Sequence, residues 1–277
     1  MTLSVVVITY NEEANIGRTL ASVQALVTTH GRLSNNEIIV VDSGSTDRTV
    51  EIAKSYGAKV FVEEWKGFAA QKNSALDKAT GNWILSLDAD EALSEGLPGE
   101  IAAAIGRQSN LKSTISPDRP EFVDGFFIPR RNYFLSRWIK RGGFWPDPKL
   151  RLFRRGSGRF EHRLVHEDVV LTGGTARLGN PLIHYSYPTL SDYLDHMNRY
   201  SSLGAEMVAA RGRVRFSALN IVVRPAATFL YNYLFRLGFL DGKEGLLLHL
   251  YHAVYVSWKY AKAWELTRQK SPADSAN

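Results

Sequence analysis

Apolar and polar positions fall in alternating blocks along the first ninety residues. Leu3–Thr9 is an unbroken apolar and β-branched run, the pattern of a strand buried on both faces. Asn11 is placed to cap the helix that follows, whose apolar face is Ile16, Leu20, Val23 and Val27. Glu37 to Val41 reads as a second strand. The Ser45-Thr-Asp-Arg stretch opens a helix that runs through Ile52 and stops at Gly57. Lys59–Val62 is a third strand, Phe68 to Ala79 a helix closed by Gly81, and Trp83 to Leu87 a fourth strand. Four β-α units in series predict a parallel sheet with right-handed crossovers.

The later pattern is less regular. Residues 106–121 are polar, hold Pro117 and Pro120, and read as a surface loop. Phe126 to Pro129 and Leu150 to Arg154 are further strand candidates. Residues 189–268 are mostly helical, divided by Pro225, Gly238 and Asp241-Gly242 into about three helices. The expected organisation is a catalytic α/β domain over 1–188, a helical region over 189–270 with a possible membrane-surface or dimer role, and a frayed tail over 271–277.

Composition narrows the classes. At 277 residues and 44% apolar content a sizeable core is expected, and the absence of cysteine excludes a disulfide scaffold, a Cys-ligated zinc site and a Cys nucleophile. The start lacks the basic region of a targeting peptide, and no uncharged apolar run reaches the ~18–20 residues of a spanning helix. A cytoplasmic protein is expected, soluble or peripheral on the inner face of the cytoplasmic membrane. The formal net charge of +6 hides an asymmetry: residues 1–120 carry 11 Lys+Arg and 15 Asp+Glu, residues 121–277 carry 23 and 13. The basic half predicts an anionic partner.

Candidate chemistry lies where open parallel sheets bind ligands, beyond the carboxyl ends of the strands. The first turn, Thr9-Tyr10-Asn11-Glu12-Glu13, has no Gly-rich phosphate loop, which excludes the dinucleotide-binding and P-loop fingerprints. Asp88-Ala89-Asp90 at the end of the fourth strand offers two carboxylates to one hard cation, Mg²⁺ or Mn²⁺, that would keep substrate phosphate oxygens in its shell. Read alone, Asp90 equally fits a cap for a helix starting near Glu91, and Asp42 a cap for the turn Asp42 to Asp47.

Taken together, Val5 to Glu13, Ile38 to Asp47, Gln71-Lys-Asn-Ser-Ala75 and Leu85 to Asp90 resemble, in order and spacing, the GT-A nucleotide-sugar domain of family 2 glycosyltransferases. The resemblance implies that Thr9, Tyr10, Asn11, Glu12, Asp42, Ser43, Lys72, Asp88 and Ala89 face the nucleotide sugar. It implies that Asp90 is the leading metal ligand, with Asp88 and a downstream His184 as further ones. It places the base of an inverting transfer in Arg163-Leu-Val-His166-Glu167-Asp168, with Glu167 preferred over Asp168. One carboxylate is needed there to take the proton of the attacking hydroxyl.

Val40 to Asp47, Trp65 to Asn73, Asp88 to Glu91, Arg151-Leu-Phe-Arg154, Val165-His-Glu167, Asn198-Arg-Tyr-Ser201 and Gly238 to Gly242 are similar, further, to the lipopolysaccharide-core β-1,4-glucosyltransferase branch. That implies UDP-glucose as donor and a phosphorylated glycolipid as acceptor. Trp138, Arg141, Trp145 and Arg151 lie in a cluster of aromatics and bases suited to stacking on sugars and pairing with phosphates. Nucleic acid is not expected, because no RNA-module motif accompanies the basic cluster. A contact with an anionic membrane and a homodimer stay open. So do a transferase acting on a protein, peptide or polyprenyl phosphate and a non-catalytic nucleotide-sugar-binding protein.

Overall fold

The computed structural model describes residues 1–28, 36–110, 123–161, 168–212 and 214–269. In chain order the first elements are β1 (Leu3–Thr9), α1 (Ile16–Thr28), β2 (Glu37–Asp42), α2 (Thr49–Ser55), β3 (Lys59–Val62), α3 (Phe68–Lys78), β4 (Trp83–Asp88), β5 (Glu91–Leu93) and α4 (Leu97–Asn110). There follow β6 (Val123–Ile128), β7 (Arg130–Phe134), β8 (Arg137–Trp138), β9 (Lys149–Arg154), β10 (Gly158–Phe160), β11 (Val169–Leu171), β12 (Gly174–Arg177) and β13 (Leu182–Tyr187). The helices α5 (Leu190–Ala209), α6 (Arg224–Leu230) and α7 (Gly242–Gln269) complete the chain.

The chain forms two compact units. Of the described residues, those within 1–131, 147–161 and 168–184 form the first, and those within 132–146 and 185–269 the second. Where the sequence suggests one boundary after residue 188, the loop and hairpin 132–146 fold with the C-terminal helices.

The first unit is built on a seven-stranded sheet in the order β12-β6-β9-β4-β1-β2-β3. β1, β2, β3 and β4 run parallel, as the β-α repeats require, while β9 is antiparallel to both β4 and β6. Successive side chains of β1 point to opposite faces. Leu3, Val5 and Val7 pack with Ile16, Leu20 and Val23 of α1, whereas Val6 packs with Ala69, Ala75 and Leu76 of α3. The apolar runs read from sequence are thus strands covered on both sides. β3 is the exception: as the edge strand it leaves Phe61 and Val62 exposed. Gly81 lies against Ser4, where a Cβ would meet the backbone nitrogen at 2.6 Å. This is a close approach only glycine allows. β5 pairs antiparallel with β13, setting His184 opposite Glu91.

Several local expectations are corrected. Asn11 does not cap α1. It sits at φ 53°, its N–H donates to Ser45 Oγ (2.8 Å), and its side-chain oxygen accepts from Thr46 N (2.9 Å). Residues 45–48 form a turn, and α2 begins only at Thr49. No helix starts at Glu91, which opens the short strand β5. Residues 106–110 belong to the end of α4 rather than a loop. The tail 271–277 and most of the polar stretch lie outside the described residues.

In the second unit β7 and β8 form a hairpin through Tyr133↔Trp138 and Phe134↔Arg137. Phe134, Ile139, Tyr193, Met197 and Leu248 make its core. α5 starts with a reciprocal cap: the Thr189 hydroxyl accepts from Asp192 N (3.1 Å), and the Asp192 carboxylate accepts from Thr189 N (3.1 Å). Three helical stretches are present, but Pro225 does not divide them: α5 ends at Ala209 and Pro225 lies inside the middle stretch. The middle helix is α6 flanked by the π-helical turns Leu219–Val223 and Tyr231–Phe235.

Candidate active site

Strand register brings the separate motifs to one edge. Thr9 pairs with Asp42 across β1 and β2, and Ile8 pairs with Asp88 across β1 and β4. The turns after β1, β2 and β4 therefore emerge side by side at the carboxyl end of the parallel strands, where such sheets bind ligands.

The first two turns are laced together. Besides the Asn11 bonds, Glu12 N donates to Thr49 Oγ1 (2.7 Å), Glu13 N to Asp47 Oδ2 (3.1 Å) and Arg48 N to Glu13 Oε2 (3.1 Å). Asp42 is the centre of the second turn. Oδ1 accepts from Thr9 Oγ1 (2.8 Å) and Ser45 Oγ (2.5 Å), and Oδ2 accepts from Gly44 N (3.0 Å) and Ser45 N (2.8 Å). A carboxylate offers about four acceptor positions, and all four are filled within the protein. Asp42 is fully buried, and these four bonds make it the builder of the turn. What faces outward is the exposed Tyr10 ring, Asn11 and the turn itself. Ser43 Oγ is buried without a partner among the described residues.

After β4 the charges interlock. Asp88 Oδ1 receives Lys72 Nζ at 2.8 Å, and Asp88 Oδ2 receives the Arg151 guanidinium. Burial opposes ionisation of Asp88, but Arg151 and then Lys72 hold its carboxyl well below the usual range. Arg151 also donates to Glu91 Oε1 (2.7 Å), which accepts from Arg130 Nη1 as well (3.1 Å). Glu91 is fully buried, and its other oxygen accepts from Asp88 N (3.1 Å). Arg130 in turn binds Asp147 through Nε (2.9 Å) and Nη2 (2.7 Å). Lys72, on α3, lies 5.2 Å from the centre of the Phe160 ring. Arg151, assigned from sequence to the acceptor surface, is thus buried in the floor of this site. Glu91, Arg130 and Asp147 join the site through tertiary contacts that the sequence motifs do not indicate. Glu91 stands inside the Asp88 to Glu91 motif, the sequence signal that points to it.

Asp90 and His184 form the second pair: His184 Nε2 lies 3.1 Å from Asp90 Oδ2. Burial pushes Asp90 up, and His184 outweighs it, leaving the carboxyl below its ordinary value. Glu12 shows the opposite balance. Burial raises its pKa, a hydrogen bond from Asn15 opposes, and the negative charges of Asp90, Asp47 and Asp88 add to the rise. Ala89 is buried, and its carbonyl accepts from Thr19 Oγ1 (2.6 Å), which ties the Asp88-Ala89-Asp90 turn to α1. Among the described residues no group of three or more His, Asp or Glu is arranged to hold a metal ion.

Of the proposed base motif only Asp168 is described. It is exposed, and its carbonyl accepts from Glu161 N (3.2 Å). Arg163, His166 and Glu167 lie outside the described residues. In the second unit Trp138 and Trp145 meet edge to face at 5.3 Å, Lys140 Nζ stands 4.5 Å from the Trp138 ring, and Arg141 is exposed, its backbone N–H bound to Asp241 (2.8 Å).

This architecture is the GT-A fold, a mostly parallel sheet between helices with its acidic turns at one edge. Residues 4–160 match the model of glycosyl transferase family 2, and the chain belongs to that family of sugar-transferring enzymes. The lipopolysaccharide core biosynthesis glycosyltransferase LpsC of Rhizobium meliloti (strain 1021) is 32% identical over 95% of this chain and 92% of its own length. The mannosyltransferase PcManGT of Pyrobaculum calidifontis, solved with GDP-Man and Mn²⁺, superposes with a TM-score of 0.54 over 97% of this chain and 87% of its own, at 18% identity. S. aureus TarS 1-349 in complex with UDP superposes with a TM-score of 0.50 over 98% and 92%, at 19% identity.

Proposed function

We propose that this enzyme moves glucose from UDP-glucose, with inversion, to a sugar hydroxyl of a phosphorylated, lipid-linked acceptor of the lipopolysaccharide inner-core kind. The similarity to LpsC over nearly the whole of both chains supports the acceptor class. The observation that carries the chemistry is the Asp90–His184 pair at 3.1 Å beside an Asp88 already neutralised by Lys72 and Arg151.

Asp90 and His184 suit a hard divalent cation. They would offer such an ion one carboxylate and one imidazole, which lie 3.1 Å apart. A Mg²⁺ or Mn²⁺ ion bound there supplies charge neutralisation to the departing diphosphate. Lys72 and Arg151 add fixed positive charge around Asp88, so that the floor is not a purely anionic surface that would repel the donor. The turns held by Asp42 and Asn11 present Tyr10 and backbone groups to the nucleoside.

In the reaction the acceptor oxygen bonds to the anomeric carbon as the bond from that carbon to the diphosphate oxygen breaks. Glu167, or its neighbour Asp168, takes the hydroxyl proton, and UDP leaves. Trp138, Arg141 and Trp145 are assigned to the acceptor by their chemistry, rings for sugar faces and a guanidinium for phosphate.

The test is turnover of UDP-glucose by the full chain with Mn²⁺, followed as UDP release with and without a truncated inner-core acceptor. Asp90→Ala and Glu167→Gln should each abolish acceptor-dependent turnover. Full activity in either variant would overturn the assigned roles. An inert Glu167→Gln change with Asp90→Ala dead would point instead to a phosphate acceptor, which needs no strong base.

A further inference from the structure

In the second unit the segment from Leu219 to Phe235 turns its apolar side to solvent. Leu219, Val222, Val223, Leu230, Leu234 and Phe235 are all exposed, Phe235 at 78%. The exposed positions recur in pairs four residues apart, and the steps between are filled by exposed Ala226, Ala227 and Tyr231. The opposite side is the covered one: Phe229 stacks on Tyr233 at 5.0 Å, and Tyr233 meets His249 of α7 at 6.2 Å.

A repeat of four drifts around an α-helix, which turns every 3.6 residues. The π-helical turns Leu219–Val223 and Tyr231–Phe235 carry i→i+5 bonds and more residues per turn. They take up the drift, so the stripe stays on one side through α6. The local backbone thus keeps an apolar face aligned that no residue of the described structure covers.

Charge selects the occupant. Residues 207–240 contain five Arg and no Asp or Glu. Arg211, Arg215, Arg224 and Arg236 are exposed around the stripe. The next acid, Asp241, is buried and already accepts from Lys140 N (3.1 Å) and Arg141 N (2.8 Å). A second copy of the chain meeting this face about a two-fold axis would bring two arginine-rimmed stripes together with no Asp or Glu inside either stripe, the preceding acid, Glu206, lying outside it on α5. Lipid phosphates supply the missing negative charge, and acyl chains accept the stripe. Among the described residues no helix is long and apolar enough to cross a membrane.

We propose that the 211–240 segment docks in the plane of an anionic bilayer, its stripe in the headgroup–acyl boundary and its arginines at the phosphates. This holds whichever acceptor the enzyme uses. The purified full chain is tested by co-sedimentation with vesicles of phosphatidylcholine alone and of phosphatidylcholine mixed with phosphatidylglycerol, at low and raised salt. The expected result is binding to the anionic vesicles, weakened by salt. Glutamate at both Leu230 and Leu234 should weaken it about tenfold per position. The double change Arg211→Glu and Arg215→Glu should weaken it about tenfold or more. All four positions are exposed, so unchanged circular-dichroism melting separates lost docking from lost folding. No binding, equal binding to both vesicles, or variants that bind like the parent would overturn the proposal. So would light scattering that shows a dimer dissolved by the leucine changes.

Discussion

Arg151 binds the carboxylate of Asp88 across 63 positions of sequence, and the same guanidinium nitrogen holds the buried Glu91 at 2.7 Å. The antiparallel pairing of β9 with β4 makes this reach possible, with Leu152 beside Leu85 and Arg151 next along toward the strand's carboxyl end. The acidic motif therefore does not stand alone: two of its neighbouring charges are spent on orienting it.

Removing that guanidinium should cost much more than a surface ion pair. Arg151→Met leaves Glu91 buried with Arg130 alone and Asp88 with Lys72 alone. Breaking a buried pair from one side typically costs about 3–5 kcal/mol. Urea unfolding of the full chain should show a loss of that order, and a loss below about 1 kcal/mol would remove Arg151 from the structural role.

His184→Ala should separate cation binding from fold. His184 is not part of the apolar core, and its partner is Asp90. In titrations of the UDP-bound enzyme, apparent Mn²⁺ affinity should fall about 10–100-fold or more, as when a metal site loses support. The melting temperature without metal should fall modestly, because Asp90 loses the imidazole that offsets its burial, so affinity is compared at a temperature where both proteins are folded. Equal Mn²⁺ titrations for parent and variant would exclude His184 as a ligand.

Acid should expose a different pin, at the amino end of the sheet. Glu37 accepts from Lys59 Nζ (2.7 Å), Ser4 Oγ (2.7 Å), Thr80 N (2.8 Å) and Thr80 Oγ1 (2.7 Å). Burial opposes these bonds, yet together they lower its pKa from 4.5 to about 2. The folded pKa is depressed, so this stabilisation is complete above about 4.5 and is lost as pH falls toward about 2. Glu37→Gln should cost about 1–3 kcal/mol at pH 7. The stability curves of parent and variant should converge in acid, and a gap unchanged with pH would refute the assignment.

The second unit should weaken in a milder acid window. His249 is buried, and burial, with His252 adding, lowers its pKa from 6.5 to about 4. It is held neutral in the folded state, so its contribution is complete above about 6.5 and declines as pH falls toward about 4. Near-ultraviolet circular dichroism of the tyrosine-rich core should report that loss. Gly142 lies at φ +65° against this imidazole, with no room for a Cβ. Gly142→Ala should therefore destabilise the unit by about 2 kcal/mol or more, and an Ala variant that melts like the parent would contradict this packing.

By itself the sequence determined the β-α repeats of the first ninety residues, the family and the places of the acidic turns. Those signals are local: an apolar run such as Leu3–Thr9 or a turn such as Asp42 to Asp47 carries its structure in adjacent side chains. Only the tertiary structure decided who meets whom. His184 reaches Asp90 because β13 pairs with β5 in one register, and a shift of one residue would turn it to the other face. Asp42 became the core of a turn because Thr9, 33 residues away, completes its shell. The apolar pattern of residues 219–235 reads equally as a packed helix or an exposed one. Which face is covered depends on where α7 lies beneath it, a long-range contact that periodicity does not encode.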